Sequence, residues 1–413
     1  MRWELKPLAE VADFCLGKML DQAKNKGELR PYLANINVRW GEFDLENLRE
    51  MRFERDEFER YGVKAGDILM CEGGEPGRCA IWKGQVQDMM IQKALHRIRA
   101  KECMDSHFLF YSLLKMGRNG EFSGLFTGAT IKHLPREKLG LVRIPAPPLP
   151  IQRRSAAILS AYDDLIENNS RRIGVLEEMA RRVYEEWFGR FRYPGYGGGT
   201  EKLPPGWRRA PIAEAYDGLF DGPHATPAPA DAGPVFLGIG NIREEGGLDL
   251  SSVRHIAEED FAKWTKRVMP REGDIVFTYE ATLNRYALIP KGFRGCLGRR
   301  LALIRTTPES RRNLFLYLHF FSADWREVIT RNTLSGATVD RIPLSKLPQF
   351  PITLPPDDLI HRFDDIVRPM FEQVEVLRRK NTNLRAQRDL LLPKLISGEI
   401  DVSEAAEHLE AAQ

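Results

Sequence analysis

The stretch PLPIQRRSAAILSAYDDLIENNSRRIGVLEEMARRVYEEWF, residues 148–188, decides the architecture. Along it, Leu159, Tyr162, Ile166, Asn169, Ile173, Leu176, Ala180, Val183 and Trp187 follow one another in alternating steps of three and four. That spacing draws a single stripe along a helix, the a/d seam by which one helix buries itself against another. Adding 208 to each number gives Val367, Met370, Val374, Leu377, Asn381, Leu384, Arg388, Leu391 and Leu395, the same seam in the same phase. The spacing predicts two long helices, one in the middle of the chain and one near its end.

Working outward, the repeat continues. A proline-flanked strand precedes each helix, Ile144-Pro145-Ala146-Pro147-Pro148 and Ile352-Thr353-Leu354-Pro355-Pro356, again 208 apart. Gly128-Ala129-Thr130-Ile131 matches Gly336-Ala337-Thr338-Val339 at 208, and Gly66-Asp67-Ile68-Leu69 matches Gly273-Asp274-Ile275-Val276 at 207. Trp3, Pro7, Ala9 and Glu10 match Trp207, Pro211, Ala213 and Glu214 at 204. An offset that drifts by a few residues is what small loop insertions leave behind in a duplicated chain.

The 413 residues are 43% hydrophobic and 29% charged, which is ordinary globular composition with room for two domains and their connections. A net charge of +3 permits nucleic acid as a partner without arguing for it. Cys15, Cys71, Cys79, Cys103 and Cys296 form no Cys-x-x-Cys pair and join no Cys/His cluster, so a structural zinc site is not expected. An odd, unpatterned set of thiols fits a reducing cytoplasm. Met1-Arg2-Trp3-Glu4 opens no apolar signal core, and no run of about 18 apolar residues offers a membrane span.

The expected class is α+β: two similar mixed domains joined by two long helices, with a pseudo-twofold internal repeat. Residues 1–150 form the first domain, 151–190 the central helix, 191–206 a Gly/Pro linker, 207–354 the second domain, 355–400 the last helix and 401–413 a tail, frayed from Glu404. Strands are expected at Asp67–Met70, Ala80–Trp82, Leu141–Ile144, Asp274–Phe277 and Leu301–Ile304, with short helices at His107–Lys115 and Leu314–Phe321. The linker, Arg192-Tyr193-Pro194-Gly195-Tyr196-Gly197-Gly198-Gly199 and then Leu203-Pro204-Pro205-Gly206-Trp207, should break regular structure. Asp357 or Asp358 can cap the last helix, Pro369 should kink it and Ser397-Gly398 should stop it.

In order, and twice over, these pieces resemble the specificity subunit of type I restriction-modification systems. The resemblance rests on Pro31-Tyr32-Leu33-Ala34-Asn35-Ile36-Asn37, on the Gly-Asp-Ile and Gly-Ala-Thr elements, and on the Pro-Pro before each helix. It rests too on Leu176-Glu177-Glu178-Met179-Ala180, Glu186-Trp187-Phe188 and Leu391-Leu392-Pro393-Lys394-Leu395-Ile396-Ser397-Gly398-Glu399-Ile400. A Glu-Gln pair common after the Pro-Pro is reduced to Gln152 in the first half and replaced by Ile360-His361 in the second. The resemblance implies two target recognition domains, each reading one half of a split sequence in double-stranded DNA, and two long helices paired antiparallel as a coiled-coil spacer. It implies two methyltransferase subunits and translocating restriction subunits as partners, with AdoMet on the former, ATP and Mg on the latter, and no cofactor, metal or catalytic residue on this chain.

Elementary geometry agrees with that division. From Leu159 to Trp187 a helix rises roughly 42 Å, close to one turn of duplex, about 34–36 Å. Two readers on such a spacer would find a bipartite target with an unread gap, and halves of different sequence would find different half-sites.

Each candidate residue has a sharp reading and a bland one. Thr130, Lys132, His133, Thr338, Asp340 and Arg341, in the repeated loop after Gly-Ala-Thr, are DNA contacts or parts of a structural turn. Arg78 and Arg285 either fork onto guanine or pair with Glu72 or Glu280. His224 and Thr226 stand in a loop that resembles one near DNA in the family; Arg299 and Arg300 are phosphate contacts or solvated charge. Leu159, Ile166, Ile173, Leu176, Val183, Val374, Leu377, Leu384 and Leu391 make the spacer seam, where Asn169 and Asn381 either fix register or face outward. Arg388, at an a position, suggests that the seam frays or meets another protein. Tyr184, Trp187 and Phe188 either anchor a methyltransferase subunit or pack on the adjacent domain.

Two other classes compete with this one. Phe236-Leu237-Gly238-Ile239-Gly240 looks like an AdoMet loop of a stand-alone methyltransferase, but no Asn/Asp-Pro-Pro-aromatic tetrapeptide follows, and the matching Tyr32-Leu33-Ala34-Asn35-Ile36 has no glycine. A helical scaffold without sequence readout is the other. Pro356-Asp357-Asp358 has no Glu-x-Lys partner for metal-dependent cleavage, and the chain has no Gly-x-x-x-x-Gly-Lys-Ser/Thr phosphate loop.

Overall fold

The computed structural model describes residues 3–21, 25–198, 203–335 and 339–402. The chain divides into two compact units, one holding Met1–Asn168 with Lys380–Gln413 and the other Asn169–Arg379. The division falls inside both long helices, so each unit owns part of each.

In the first unit, a four-stranded antiparallel sheet runs in the order Ala12–Leu16, Leu95–Ala100, Ile68–Cys71, Cys79–Ile81. A three-stranded sheet sets Glu28–Leu33 between Arg49–Phe53, antiparallel, and Met90–Ile91, parallel. Ile68–Cys71 is apolar throughout because both its faces are covered. Ile68 and Met70 join the cluster of the helix Ser106–Arg118, with Phe108 and Tyr111. Leu69 and Cys71 join Leu33, Trp82 and Ile91 on the opposite face. Leu5–Pro7 pairs with Arg143–Pro145, the strand that leads to the central helix.

The second unit repeats this topology. Its four-stranded sheet is ordered Gly218–Asp221, Leu301–Arg305, Ile275–Thr278, Tyr286–Leu288, and Ala230–Leu237 lies between Arg254–His255 and Gly295–Leu297, antiparallel to the first and parallel to the second. Arg208–Pro211 pairs with Pro351–Leu354. Ile275 and Phe277 face the cluster of the helix Asn313–His319, and Val276 faces Leu237 and Leu297.

The repeated Gly-Asp-Ile is a fastening at the start of the central strand. Gly66 (φ +90°) and Gly273 (φ +82°) turn the chain through the left-handed region. The next carboxylate is buried and must be matched. Asp67 accepts both Nε and Nη2 of Arg99 at 2.7 Å and the Lys64 amide at 2.7 Å. Asp274 does the same with Arg305 at 2.8 and 2.6 Å and the Arg271 amide at 2.7 Å. Such bidentate, charge-assisted pairs are the strong kind.

The long helices are Leu149–Tyr184, closed by one π turn over Glu185–Gly189, and Asp357–Ser397. Every seam position of both is buried or half-buried. Within the first unit, Asn381 Nδ2 donates to the Ile166 carbonyl at 3.2 Å and Arg388 pairs with Asp163, so higher numbers on one helix meet lower numbers on the other. Within the second unit, Arg378 meets Glu177 at 2.7 Å while Phe363 meets Tyr184 and Phe188, again antiparallel. The Arg388 seam position therefore does not fray. Asp163, which also accepts the Tyr111 hydroxyl at 2.6 Å, satisfies it inside the chain. Burial opposes the charge on Arg388, but Asp163 and Asp389 outweigh it and raise its pKa.

Several local expectations change. Pro369 lies inside a helix that continues across it without a break. Asp357 is its first residue and accepts Arg312 Nη2 at 2.6 Å instead of capping. Gly398, φ +75°, ends it as expected. The helix Ala323–Asn332, capped by Ser322, was not foreseen. The linker contains a small hairpin, Arg192–Tyr193 with Tyr196–Gly197, whose Tyr193 stacks on Tyr196 and Trp207. The tail from Glu404 lies outside the described residues. Among the described residues, no helix is long and apolar enough to cross a membrane.

Candidate nucleic-acid interface

At one end of the first unit's four-stranded sheet, Leu16 lies opposite His96, Cys71 opposite Leu95 and Cys79 opposite Met70. The chain leaves the sheet there after Leu16 and after Cys71, and enters it before Leu95. A hairpin joins these connections: Thr127 and His133 exchange two backbone bonds of 2.8 Å, and His133 bridges to Gly73. Gly128 (φ +91°) shapes it, since a Cβ there would stand 2.1 Å from the Ile131 carbonyl oxygen. Thr130, Ile131 and Lys132 are exposed at its tip. His133 anchors its base, with Nδ1 3.1 Å from each Glu72 carboxylate oxygen.

The second unit gathers the corresponding loops. Asp221 lies opposite Ala302, Thr278 opposite Leu301 and Phe277 opposite Tyr286, so 222–229, 279–285 and 298–300 leave at one end. Arg341 bridges to both Leu334 and Glu280, and the Ala281 amide donates to the Asp340 carbonyl at 2.9 Å. Arg299 and Arg341 are exposed, as is Thr226. His224 Nε2 lies 2.6 Å from Asp221 Oδ2. Thr338, with Gly336 and Ala337, lies outside the described residues.

The eleven described candidates thus fall at two sheet ends, one in each unit, but not all have side chains available to DNA. Arg78 donates to the Asn35 carbonyl at 2.8 Å and to Glu75 at 2.6 Å, with its side chain only 15% exposed. It is a staple between its turn and the segment after Glu28–Leu33, and its acidic partner is Glu75, not Glu72. Arg285 reaches a different carbonyl of the corresponding turn, Ile242 at 3.4 Å, with Glu244 at 3.8 Å. Arg300 holds Glu280 at 3.1 Å. Arg78 and Arg285 thus hold carbonyls of their own unit, Arg285 facing Glu244 and not Glu280, while Arg300, expected as a phosphate contact or solvated charge, is paired with Glu280.

The turn 279–285 is strained where its counterpart is not. Ala281 (φ 70°) and Asn284 (φ 60°) occupy the left-handed region filled in the first unit by Gly74 and Gly77. Strain of this kind gathers at functional sites. The Phe236–Gly240 segment is a strand end followed by the 3₁₀ turn Ile239–Asn241, where Asn241 Oδ1 accepts the Gly238 amide at 2.9 Å. Asn37 Oδ1 accepts the Ala34 amide at 3.0 Å in the same way, so those glycines belong to a duplicated turn.

The family model for the type I restriction modification DNA specificity domain, Methylase_S, matches residues 2–178. The type I restriction enzyme MjaIX specificity subunit of Methanocaldococcus jannaschii is 25% identical over 82% of this chain and 78% of its own. The MjaX specificity subunit of the same organism, named as putative, is 21% identical over 97% and 94%. Residues 2–178 thus match the type I DNA specificity domain, and the chain is similar to type I specificity subunits over most of its length. The crystal structure of a type I S subunit from M. genitalium superposes with a TM-score of 0.57 at 14% identity, covering 96% of each chain, a likeness of fold.

In this chain the aromatic trio is not an exposed anchor. Tyr184, Trp187 and Phe188, 6–7% exposed, are packed with Phe315, Phe363 and Trp207 in the core of the second unit. Leu159 and Ile166 are buried in the first unit, Val374 and Leu377 in the second, and Ile173, Leu176, Val183, Leu384 and Leu391 are half-buried. One cation at the loop ends escaped the sequence reading: Lys93, exposed in the turn before Leu95–Ala100. Its signal was available, because Lys93 and Arg299 stand at equivalent places before equivalent strands.

Proposed function

We infer that this chain is the DNA-reading, non-catalytic subunit of a type I restriction-modification complex, and that its two loop-bearing sheet ends each read one half of a bipartite, asymmetric target. The observation that carries this is one sheet topology built twice, with differently decorated loops at the same end, in a chain similar to type I specificity subunits. A palindromic target would need two alike readers; Lys132 faces the world in one half where Asp340 stands in the other.

Methyl transfer and cleavage belong to companions in the cytoplasm: two methyltransferase subunits using AdoMet, and restriction subunits using ATP and Mg. With Tyr184, Trp187 and Phe188 committed to the core, docking falls to apolar side chains left exposed on the central helix, Ile158 and Leu165 in the first unit, Val175 and Met179 in the second. A stand-alone methyltransferase is not favoured, because its supposed cofactor loop is a duplicated turn.

Methylation mapping of cells with and without the gene tests the reading. One gapped, asymmetric motif that depends on the gene is expected. An unchanged methylome, or equal affinity of the assembled complex for target and scrambled duplex at fixed salt, would contradict it.

A further inference from the structure

A duplicated reader compares itself with itself. If the halves read different bases, residues that touch bases should differ between them, whereas a residue that holds phosphate carries no sequence information and can stay. The turn before the second strand of each four-stranded sheet offers that comparison. The Glu72 amide donates to the Ala94 carbonyl at 2.9 Å and the Gly17 amide to the Leu95 carbonyl at 3.0 Å. In the second unit the Tyr279 amide donates to the Arg300 carbonyl at 3.2 Å and the Gly222 amide to the Leu301 carbonyl at 2.9 Å. The frames are the same, so Lys93 and Arg299 are equivalent.

Around them the side chains diverge: Gln92 becomes Gly298 and Ala94 becomes Arg300. The positive charge persists. Both side chains are exposed, and neither forms an ion pair with a described residue. Arg78, His133 and Arg300 nearby are matched by Glu75, Glu72 and Glu280. Lys132 and Arg341 are exposed without an ion pair to a described residue too, but Lys132 stands where the second half has Asp340, and His133 where it has Arg341, so neither repeats an unpaired charge. We propose that Lys93 and Arg299 are equivalent phosphate anchors, one per half, that fix each sheet end on the DNA backbone irrespective of sequence. This rests on the DNA-reading role above and adds which residues position, as opposed to discriminate.

The test uses the full-length chain assembled with its methyltransferase subunits, with Lys93→Ala, Arg299→Ala, the double variant and Lys93→Arg. Binding to the mapped target and to a scrambled duplex is followed across a salt titration. Each alanine should weaken both duplexes by the same factor, about fivefold to tenfold near 0.1 M salt, and flatten the slope of log affinity against log salt by about 0.9. The double variant should flatten it twice as much, and Lys93→Arg should keep the wild-type slope. Loss confined to the target, or an unchanged slope, would overturn the anchors while leaving the reading role intact. A wild-type complex that does not prefer its target would overturn that role instead, and the slope would still decide the anchors.

Discussion

The two halves fasten their long helices by different chemistry at equivalent places. In the first, Gln152 is buried; its Oε1 accepts the Asp105 amide at 2.8 Å and its Nε2 donates to the Pro147 carbonyl at 2.8 Å. In the second, Ile360 stands there, fully buried and apolar. Fastening passes to a buried carboxylate one turn on. Asp364 accepts Arg311 Nε at 2.7 Å and Arg368 at 2.8 and 2.7 Å, where the first half has Ala156. Duplication has preserved the topology and the Asp67 and Asp274 fastenings, while one neutral amide joint was exchanged for an ionic clamp. A fold can therefore persist while the interactions at a given joint are rewritten, provided that every buried polar group stays matched.

The comparison can be broken most severely at the clamp. Asp364→Ala removes the buried acceptor shared by Arg311 and Arg368, which keep Asp365 and Asn313, and should cost about 3 kcal/mol as lost charge-assisted hydrogen bonds, read by hydrogen exchange as lost protection across 169–379. Gln152→Ala should cost only about 1–3 kcal/mol, felt in the first unit. Equal losses would mean that the two joints are not chemically distinct.

Acid should sharpen the contrast. His319 is buried beside the Tyr184 hydroxyl, 2.8 Å from Nδ1, and burial pushes its pKa down to about 4. An unfolded histidine titrates near 6.5, so below that pH the unfolded chain binds the extra proton. The stability this group contributes is complete above about pH 6.5 and falls as pH drops toward 4, by about 3 kcal/mol in all. His319→Gln should remove that slope from the second unit. The first unit has Ser112 at the matching place, its Oγ donating to the Phe108 carbonyl at 2.9 Å, and takes its own acid sensitivity from His96, whose pKa burial also lowers. A second-unit slope unchanged by His319→Gln would refute the assignment.

The smallest effect expected is a gain. Ala281→Gly relieves a left-handed alanine and should stabilise the second unit by about 0.5–1 kcal/mol in thermal unfolding. The reverse change in the first unit, Gly74→Ala, should destabilise, since its Cβ would stand 2.6 Å from Asn35 Nδ2.

Much of this was written in period and repeat. The seam from Leu159 to Trp187 and its copy 208 residues on lie buried or half-buried throughout, because a heptad stripe has no other use in water. The strand cores at Ile68 and Ile275 were legible as apolar runs between turn residues. What could not be read were pairings between distant residues. Arg388 looked like a flaw until Asp163 was beside it, and Asp364 gave no hint that Arg311 would reach it. At the candidate interface, residue type identified the right loops but not which cations they engage. Arg78 and Arg285 hold carbonyls in their own units, and the Lys93 signal lies in matching the turn before Leu95 to the turn before Leu301.

The claim that one domain reads one half-site is tested most directly by exchanging residues 207–354 for the corresponding domain of another specificity subunit and mapping the methylated motif. One half of the motif should change to that of the donor while the other half stays as it was. A motif altered in both halves, or in neither, would contradict the account.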